Sequence, residues 1–241
     1  MTPRPAGKPV VLVHSSDLHV DDAPGPGDAH GLAGLQAVLH TAAVLRADLV
    51  LLAGDTFDNP RVRAPALQAA TALLAASPVP VVLLPGNHDP LLPDCIFRRA
   101  GVTELAHVHI LGLHHPEAVL FERHGLEIRG RAHVSFADMD PLHPPAPRRA
   151  HWQVVMAHGH YVPPEDWAEH AHRSWKISDA ALAQTQADYV ALGHWDRASP
   201  AGDGRVKAYY SGSPDLAGTV NVIRLGPASG VAVERVKIHW A

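Results

Sequence analysis

Five short apolar runs constrain this chain more than any other feature: VVLVH at 10–14, DLVLLA at 48–53, VPVVLL at 79–84, WQVVMA at 152–157 and DYVALG at 188–193. Each is strand length and nearly continuous rather than alternating, as expected of strands covered on both faces. Helical runs separate the first three. Residues 29–46 place Leu32, Leu35, Leu39, Ala42 and Leu45 at helical spacing, and 64–76 place Leu67, Ala70, Leu73 and Leu74 on one face. Strands alternating with helices read as βαβ units, which imply parallel pairing. The second half is richer in strands, with short runs at 118–121, 126–128 and 132–136. The tail, VKAYYSGSPD, TVNVIRLG and VAVERVKIHW, reads as three antiparallel strands joined by turns. The Pro-rich stretch 140–149 reads as a loop, so residues 1–241 are expected to form a single α/β domain.

Composition narrows the function classes. A net charge of −4, with only short basic pairs such as Arg61/Arg63 and Arg98/Arg99, does not suggest a bulk nucleic-acid binder. Cys95 is the lone cysteine, so an internal disulfide is excluded and a reducing compartment fits. The apolar run at 10–14 is too short for a signal-peptide core, and no stretch approaches a membrane span. The expectation is a cytoplasmic protein with no membrane partner. The 19 histidines exceed ordinary usage and invite a metal reading, but counting alone does not assign ligands.

Position does more. Each of the five strands ends in Asp, Asn or His, often beside Gly: Asp17-Leu18-His19, Gly54-Asp55-Thr56-Phe57-Asp58, Gly86-Asn87-His88-Asp89, His158-Gly159-His160 and Gly193-His194-Trp195-Asp196. The carboxyl ends of parallel strands form the ligand-binding edge of an open α/β sheet, so these clusters converge although they are far apart in sequence. Carboxylate, carboxamide and imidazole form a mixed oxygen and nitrogen set suited to Mn, Fe, Zn or Mg, and the absence of thiolate argues against a Cys-rich structural zinc. Two cations about 3.5–4 Å apart can hold a bridging hydroxide as nucleophile for an in-line displacement.

In this order the motifs resemble the signature of the calcineurin-like metallophosphoesterases, over residues 10 to about 215. SSDLHV, AGDTFDNP, LPGNHD, VALGHWD and YYSGSPD look most like the DNA-repair exonuclease branch, the nuclease subunits of double-strand-break repair complexes. The resemblance implies a four-layer α/β/β/α sandwich with a dinuclear metal site at strand C-terminal ends. It further implies that Asp17 and His19 bind a first metal, Asp55 bridges both, and Asn87, His158 and His194 complete the second. His88 matches the family's catalytic histidine. Residues 158 and 160 lie one alternation step apart, and the strand end favours His158, with His160 as its supporting neighbour. Asp58 and Asp89 are expected to orient imidazoles or cap a helix. Where that branch carries a second histidine in Gly-His-x-His, this chain has Asp196, expected to remain a first-metal ligand. Trp167 and Trp175, on the segment after a ligand strand, are candidates for a substrate wall.

The expected activity is a metal-dependent phosphoesterase with two divalent ions, Mn foremost, acting on small or nucleotide-like phosphodiesters. A compact DNA or RNA exonuclease is the alternative, and a non-catalytic module with a vestigial site the third reading. The chain ends about 25 residues after SGSPD, so a full-size cap and an ATPase-partner segment are not expected.

Overall fold

The computed structural model describes residues 9–22, 30–142, 145–170 and 172–240. The start of the first helical run at 29, part of the Pro-rich stretch (143–144) and the N-terminal residues 1–8 lie outside them. The first half runs β1 (Val10–Ser15), α1 (His30–Val44), β2 (Leu49–Ala53), α2 (Ala64–Ala75), β3 (Val81–Leu84), α3 (Ile96–Arg99) and β4 (Val108–Ile110). There follow β5 (Ala118–Phe121), β6 (Leu126–Gly130), β7 (Trp152–His158), β8 (His160–Tyr161), β9 (Lys176–Ile177), α4 (Asp179–Gln184) and β10 (Tyr189–Gly193). The tail holds β11 (Ser199–Ala201), β12 (Ala208–Tyr210), α5 (Pro214–Ala217), β13 (Thr219–Gly226) and β14 (Gly230–Lys237).

Two six-stranded sheets result, in the orders β14-β13-β1-β2-β3-β4 and β11-β12-β10-β7-β6-β5. β1 through β4 pair in parallel, as the βαβ pattern requires. In the second sheet β6, β7, β10 and β12 are also parallel neighbours. The continuous apolar runs follow from burial on two sides. In β1, Val10 and Leu12 face the core between the sheets, while Val11 and Val13 face a second core beneath the helices. In β7, Val154 and Met156 point between the sheets, and Val155 and Ala157 point outward. Leu35, Val38 and Ala42 of α1 and Leu67, Ala70 and Leu74 of α2 cover the first sheet. The second sheet is covered more thinly: Leu182 of α4, Ile177 and Leu142 pack against Val190 and Leu192. The four layers are present, with the fourth reduced to one short helix and its loops. No helix among the described residues is long and apolar enough to cross a membrane.

Two local expectations are corrected. Residues 132–136 form no strand. Their backbone serves the loop after β3 instead: His133 N–H donates to Pro85 O and Leu91 N–H to His133 O. Val134 and Phe136 are accordingly 61% and 60% exposed. The tail is not a three-stranded antiparallel unit either. β12 joins the second sheet parallel to β10, and α5 intervenes before β13 and β14 form an antiparallel hairpin on the edge of the first sheet.

Candidate metal centre

The loops after β1 and β2 are laced together by backbone hydrogen bonds. Asp17, His19 and Val20 N–H donate to Gly54, Asp55 and Thr56 carbonyls at 3.1, 3.0 and 2.9 Å. Within this ladder Asp17, His19 and Asp55 adopt left-handed backbone (φ 54°, 48° and 53°), as does His194 across the site (φ 95°). Such conformations are uncommon for residues with a Cβ and collect where side chains must be aimed for function. Two glycines are needed for a different reason. A Cβ on Gly54 would fall 2.0 Å from His158 Nδ1, and one on Gly86 would fall 2.2 Å from Asp55 Oδ1.

The side chains assemble into overlapping groups. One ligand atom each from Asp17, His19 and Asp55 lie within 4.8 Å of one another, and the same holds for Asp55, His158 and His194. Asp55 belongs to both. His158 Nε2 is 3.0 Å from Asp55 Oδ2 and 3.0 Å from Asn87 Oδ1, and His194 Nδ1 is 3.0 Å from that same Asn87 oxygen. His194 N–H donates to the Asp17 carboxylate at 3.0 and 3.1 Å. Thus the first sheet supplies Asp17, His19, Asp55 and Asn87, and the second supplies His158 and His194.

These residues fit divalent cations. His158 Nδ1 bonds the Ala53 carbonyl at 2.8 Å, so in neutral His158 the proton sits there and Nε2 carries a lone pair. That lone pair faces two further acceptors, Asp55 Oδ2 and Asn87 Oδ1. Only a proton on His158 or a cation between them reconciles the three. His19 Nδ1 is buried without a hydrogen-bond partner, since Asp58 Oδ1, 3.2 Å away, lies off the N–H direction. The charge distribution repeats the theme. Burial lowers the His158 pKa, but the Asp55 and Asp17 carboxylates outweigh it and hold the imidazole at about 9. Burial raises Asp17 to about 6 against the pull of His158. Burial would also raise Asp55, yet the His158 charge and hydrogen bond drive it below the ordinary carboxylate range. His194 is lowered to about 3 by burial and the neighbouring His158 charge.

His88 stands at the open side, edge-on to His19 with ring centroids 4.7 Å apart. Its N–H donates to Asp55 Oδ1 at 2.9 Å and its Nδ1 bonds Asp58 O at 2.7 Å, leaving Nε2 as the outward nitrogen. Asp58 forms a third group with His19 and His88. Asp89 touches no imidazole. It is fully buried and accepts three backbone N–H groups, from Thr56 and Phe57 at Oδ2 (2.8 and 3.1 Å) and from Gly86 at Oδ1 (2.7 Å).

Asp196 and Trp167 lie elsewhere, and His160 stands beside the ligand groups without joining them. Asp196 is exposed and joins none of the groups; its backbone carbonyl accepts from Ser213 N–H. Asp58, on the adjacent loop, is the carboxylate that His19 meets. His160 begins β8 after Gly159 has ended β7, and its ring is 6.2 Å from His194, outside the groups that His158 joins. Trp167 packs under Lys176, whose Nζ lies 4.3 Å from the ring centroid, whereas Trp175 does border the site, 5.7 Å from His194. His133 is a residue that motif reading misses. It is buried, its Nε2 bonds His158 O at 2.8 Å, and its Nδ1 has no partner. No spacing rule links it to the strand ends; only the GNHD loop's backbone pairing brings it there.

Comparison with known proteins agrees with the architecture. The protein TT1561 of Thermus thermophilus superposes over 95% of this chain and 100% of its own, at TM-score 0.60 and 14% identity. A 5′-nucleotidase precursor from the same organism covers 95% of this chain, which spans 54% of that protein, at TM-score 0.54 and 13% identity. At these identities the likeness is one of fold. No curated protein matches the sequence. Residues 10–197 match the calcineurin-like phosphoesterase family. With the fold and ligand groups above, the chain belongs to that family of divalent-metal phosphoester hydrolases.

Proposed function

We propose that the chain is a phosphodiesterase that uses two divalent ions, Mn²⁺ foremost, on small or nucleotide-like diesters. The observation that carries this reading is the membership of Asp55 in both ligand groups. Asp17 and His19 would hold one ion with Asp55, and Asn87, His158 and His194 the other. When bound, such a pair supplies a nucleophile at neutral pH and positive charge for the phosphoryl oxygens. The chain's own part is alignment and proton transfer. The Ala53 carbonyl sets the His158 tautomer, and Asp89 fixes the two loops that carry Asp55 and Asn87. His88, with Nδ1 donating to the Asp58 carbonyl, presents Nε2 to the open side, where in the imidazolium form it would give its Nε2 proton to a leaving oxygen and return to the neutral ring.

The motif likeness to repair exonucleases supports a diester bond, and a fold neighbour named as a 5′-nucleotidase precursor supports a nucleotide-like ester. The net charge of −4 supports small substrates over long nucleic acid, which remains the alternative substrate. The test is hydrolysis of matched mono- and diesters with Mn²⁺ by the natural chain and by Asp55→Ala. Diester turnover should dominate, and the variant should lose it by orders of magnitude together with bound metal while staying folded. Undiminished turnover in Asp55→Ala refutes the shared-carboxylate site; a preference for monoesters refutes the diester assignment.

A further inference from the structure

A cavity of about 250 Å³ lies beside His194, walled by the chain that follows β8 and by the loop that carries Trp195. It adjoins the candidate metal centre without including any of its ligand residues. Trp195 directly follows His194, and His160, which lines the cavity, has its ring 6.2 Å from that of His194. Trp195 is 43% exposed. It meets His160 at 5.7 Å with the ring planes 67° apart, so each ring keeps at least one face free of the other.

The polar atoms of the tyrosine walls are engaged within the protein. Tyr210 Oη donates to Gly159 O and accepts from Tyr161 N–H, and Tyr161 Oη donates to Asp179. Pro163 and Pro200 add flat apolar surface, and Asp166, His170, Arg173 and Ser199 add polar groups. A flat ring finds faces on Trp195 and the prolines, and these polar side chains would meet the nitrogens and exocyclic groups at its edge. The size agrees: whole small-molecule sites measure about 300–1,000 Å³, so this space suits one ring system rather than a complete ligand.

We propose that this cavity is the subsite for the base of a nucleotide-like ester: a planar heteroaromatic ring stacked on Trp195 beside His160, with its phosphoryl group at the metal centre. The assignment rests on reading the adjoining residues as a phosphoester site. The ligand groups do not specify it, because none of them includes Trp195 or the segment after His160.

The experiment compares adenosine 5′-monophosphate with ribose 5-phosphate, which keeps the phosphate and lacks the base. Affinities are measured by calorimetry with Mn²⁺ present, and kcat/KM replaces them if either compound turns over. The natural chain should prefer the base-bearing compound by about tenfold or more, the scale of one base–aromatic stack. Trp195→Ala should erase most of that ratio, and Trp195→Phe should restore much of it. Taking a ratio cancels any disturbance that the substitution transmits to His194. A ratio near one in the natural chain, or an unchanged ratio in Trp195→Ala, overturns the proposal. Should the protein hydrolyse no ester at all, the proposed activity fails while the binding ratio still decides the subsite.

Discussion

Asp89→Asn is a nearly isosteric change that isolates what the buried carboxylate does. The native group receives Thr56 and Phe57 N–H on one oxygen and Gly86 N–H on the other. A carboxamide has a single acceptor oxygen. If that oxygen keeps the Thr56 and Phe57 pair, the amide NH₂ is driven against Gly86 N–H. A hydrogen bond to a charged group contributes roughly 1.5–3 kcal/mol, so Asp89→Asn should destabilise by about 2–3 kcal/mol. Asp89→Ala orphans all three buried donors and should approach the whole stability of a domain, roughly 5–15 kcal/mol. The asparagine variant is therefore the one to measure. Urea unfolding in EDTA, with slopes of about 2–3 kcal/mol/M, should show a midpoint lowered by about 1 M at unchanged slope. Because the carboxylate joins the residues after Asp55 to the residue before Asn87, ion affinity should also fall by about tenfold or more. Burial and the Asp55 charge push the Asp89 pKa up to about 7, against the Gly86 and Phe57 N–H groups. If that push won at neutral pH, Asp89 would be protonated and asparagine would imitate it. A stability within about 0.5 kcal/mol of the natural chain would show this and refute the anchoring argument.

Two further expectations follow from single residues. His88→Ala should retain its metal content and lower kcat by about a hundredfold for alkyl leaving groups, with a smaller loss for nitrophenolate, which needs no proton; equal losses would refute the acid role. His14 is buried against Tyr189 Oη at 2.9 Å, and burial drives its pKa down to about 3. The unfolded chain takes up this proton first, so stability should fall as pH drops from about 6.5 towards 3, by up to about 1.4 kcal/mol per unit. His14→Gln should flatten that part of the pH–stability curve, and an unchanged slope would refute the assignment.

The sequence displays the centre well because most of its members sit at strand ends, where local pattern and three-dimensional position coincide. Asp17, His19, Asp55, Asn87 and His194 are each one short loop away from a buried run, and His158 closes one. Legibility fails where long-range pairing decides. Val134 and Phe136 alternate like strand residues, yet the backbone around them is claimed by Pro85 and Leu91. Ala208–Tyr210 is too short to announce its sheet, and only register with Val190–Leu192 assigns it. The motif favours Asp196 over Asp58 as the carboxylate beside His19, but the fold turns Asp58 towards His19 and leaves Asp196 exposed. Likewise Trp195, not Trp167, borders the cavity beside the centre, because the segment after β8 folds Trp167 onto Lys176.

The two sheets meet at the centre through the hydrogen bond from His158, at the end of β7, to the Ala53 carbonyl, at the end of β2. Residues contributed by one sheet can only serve residues contributed by the other while the interior between them keeps its thickness. Met156 and Tyr189, two and five positions from His158 and His194, fill that interior. A change that thins it shifts one half of the centre against the other while each sheet survives intact. Damage deep in the sandwich would therefore surface as an apparent catalytic defect, in a protein that still looks folded by every spectroscopic measure.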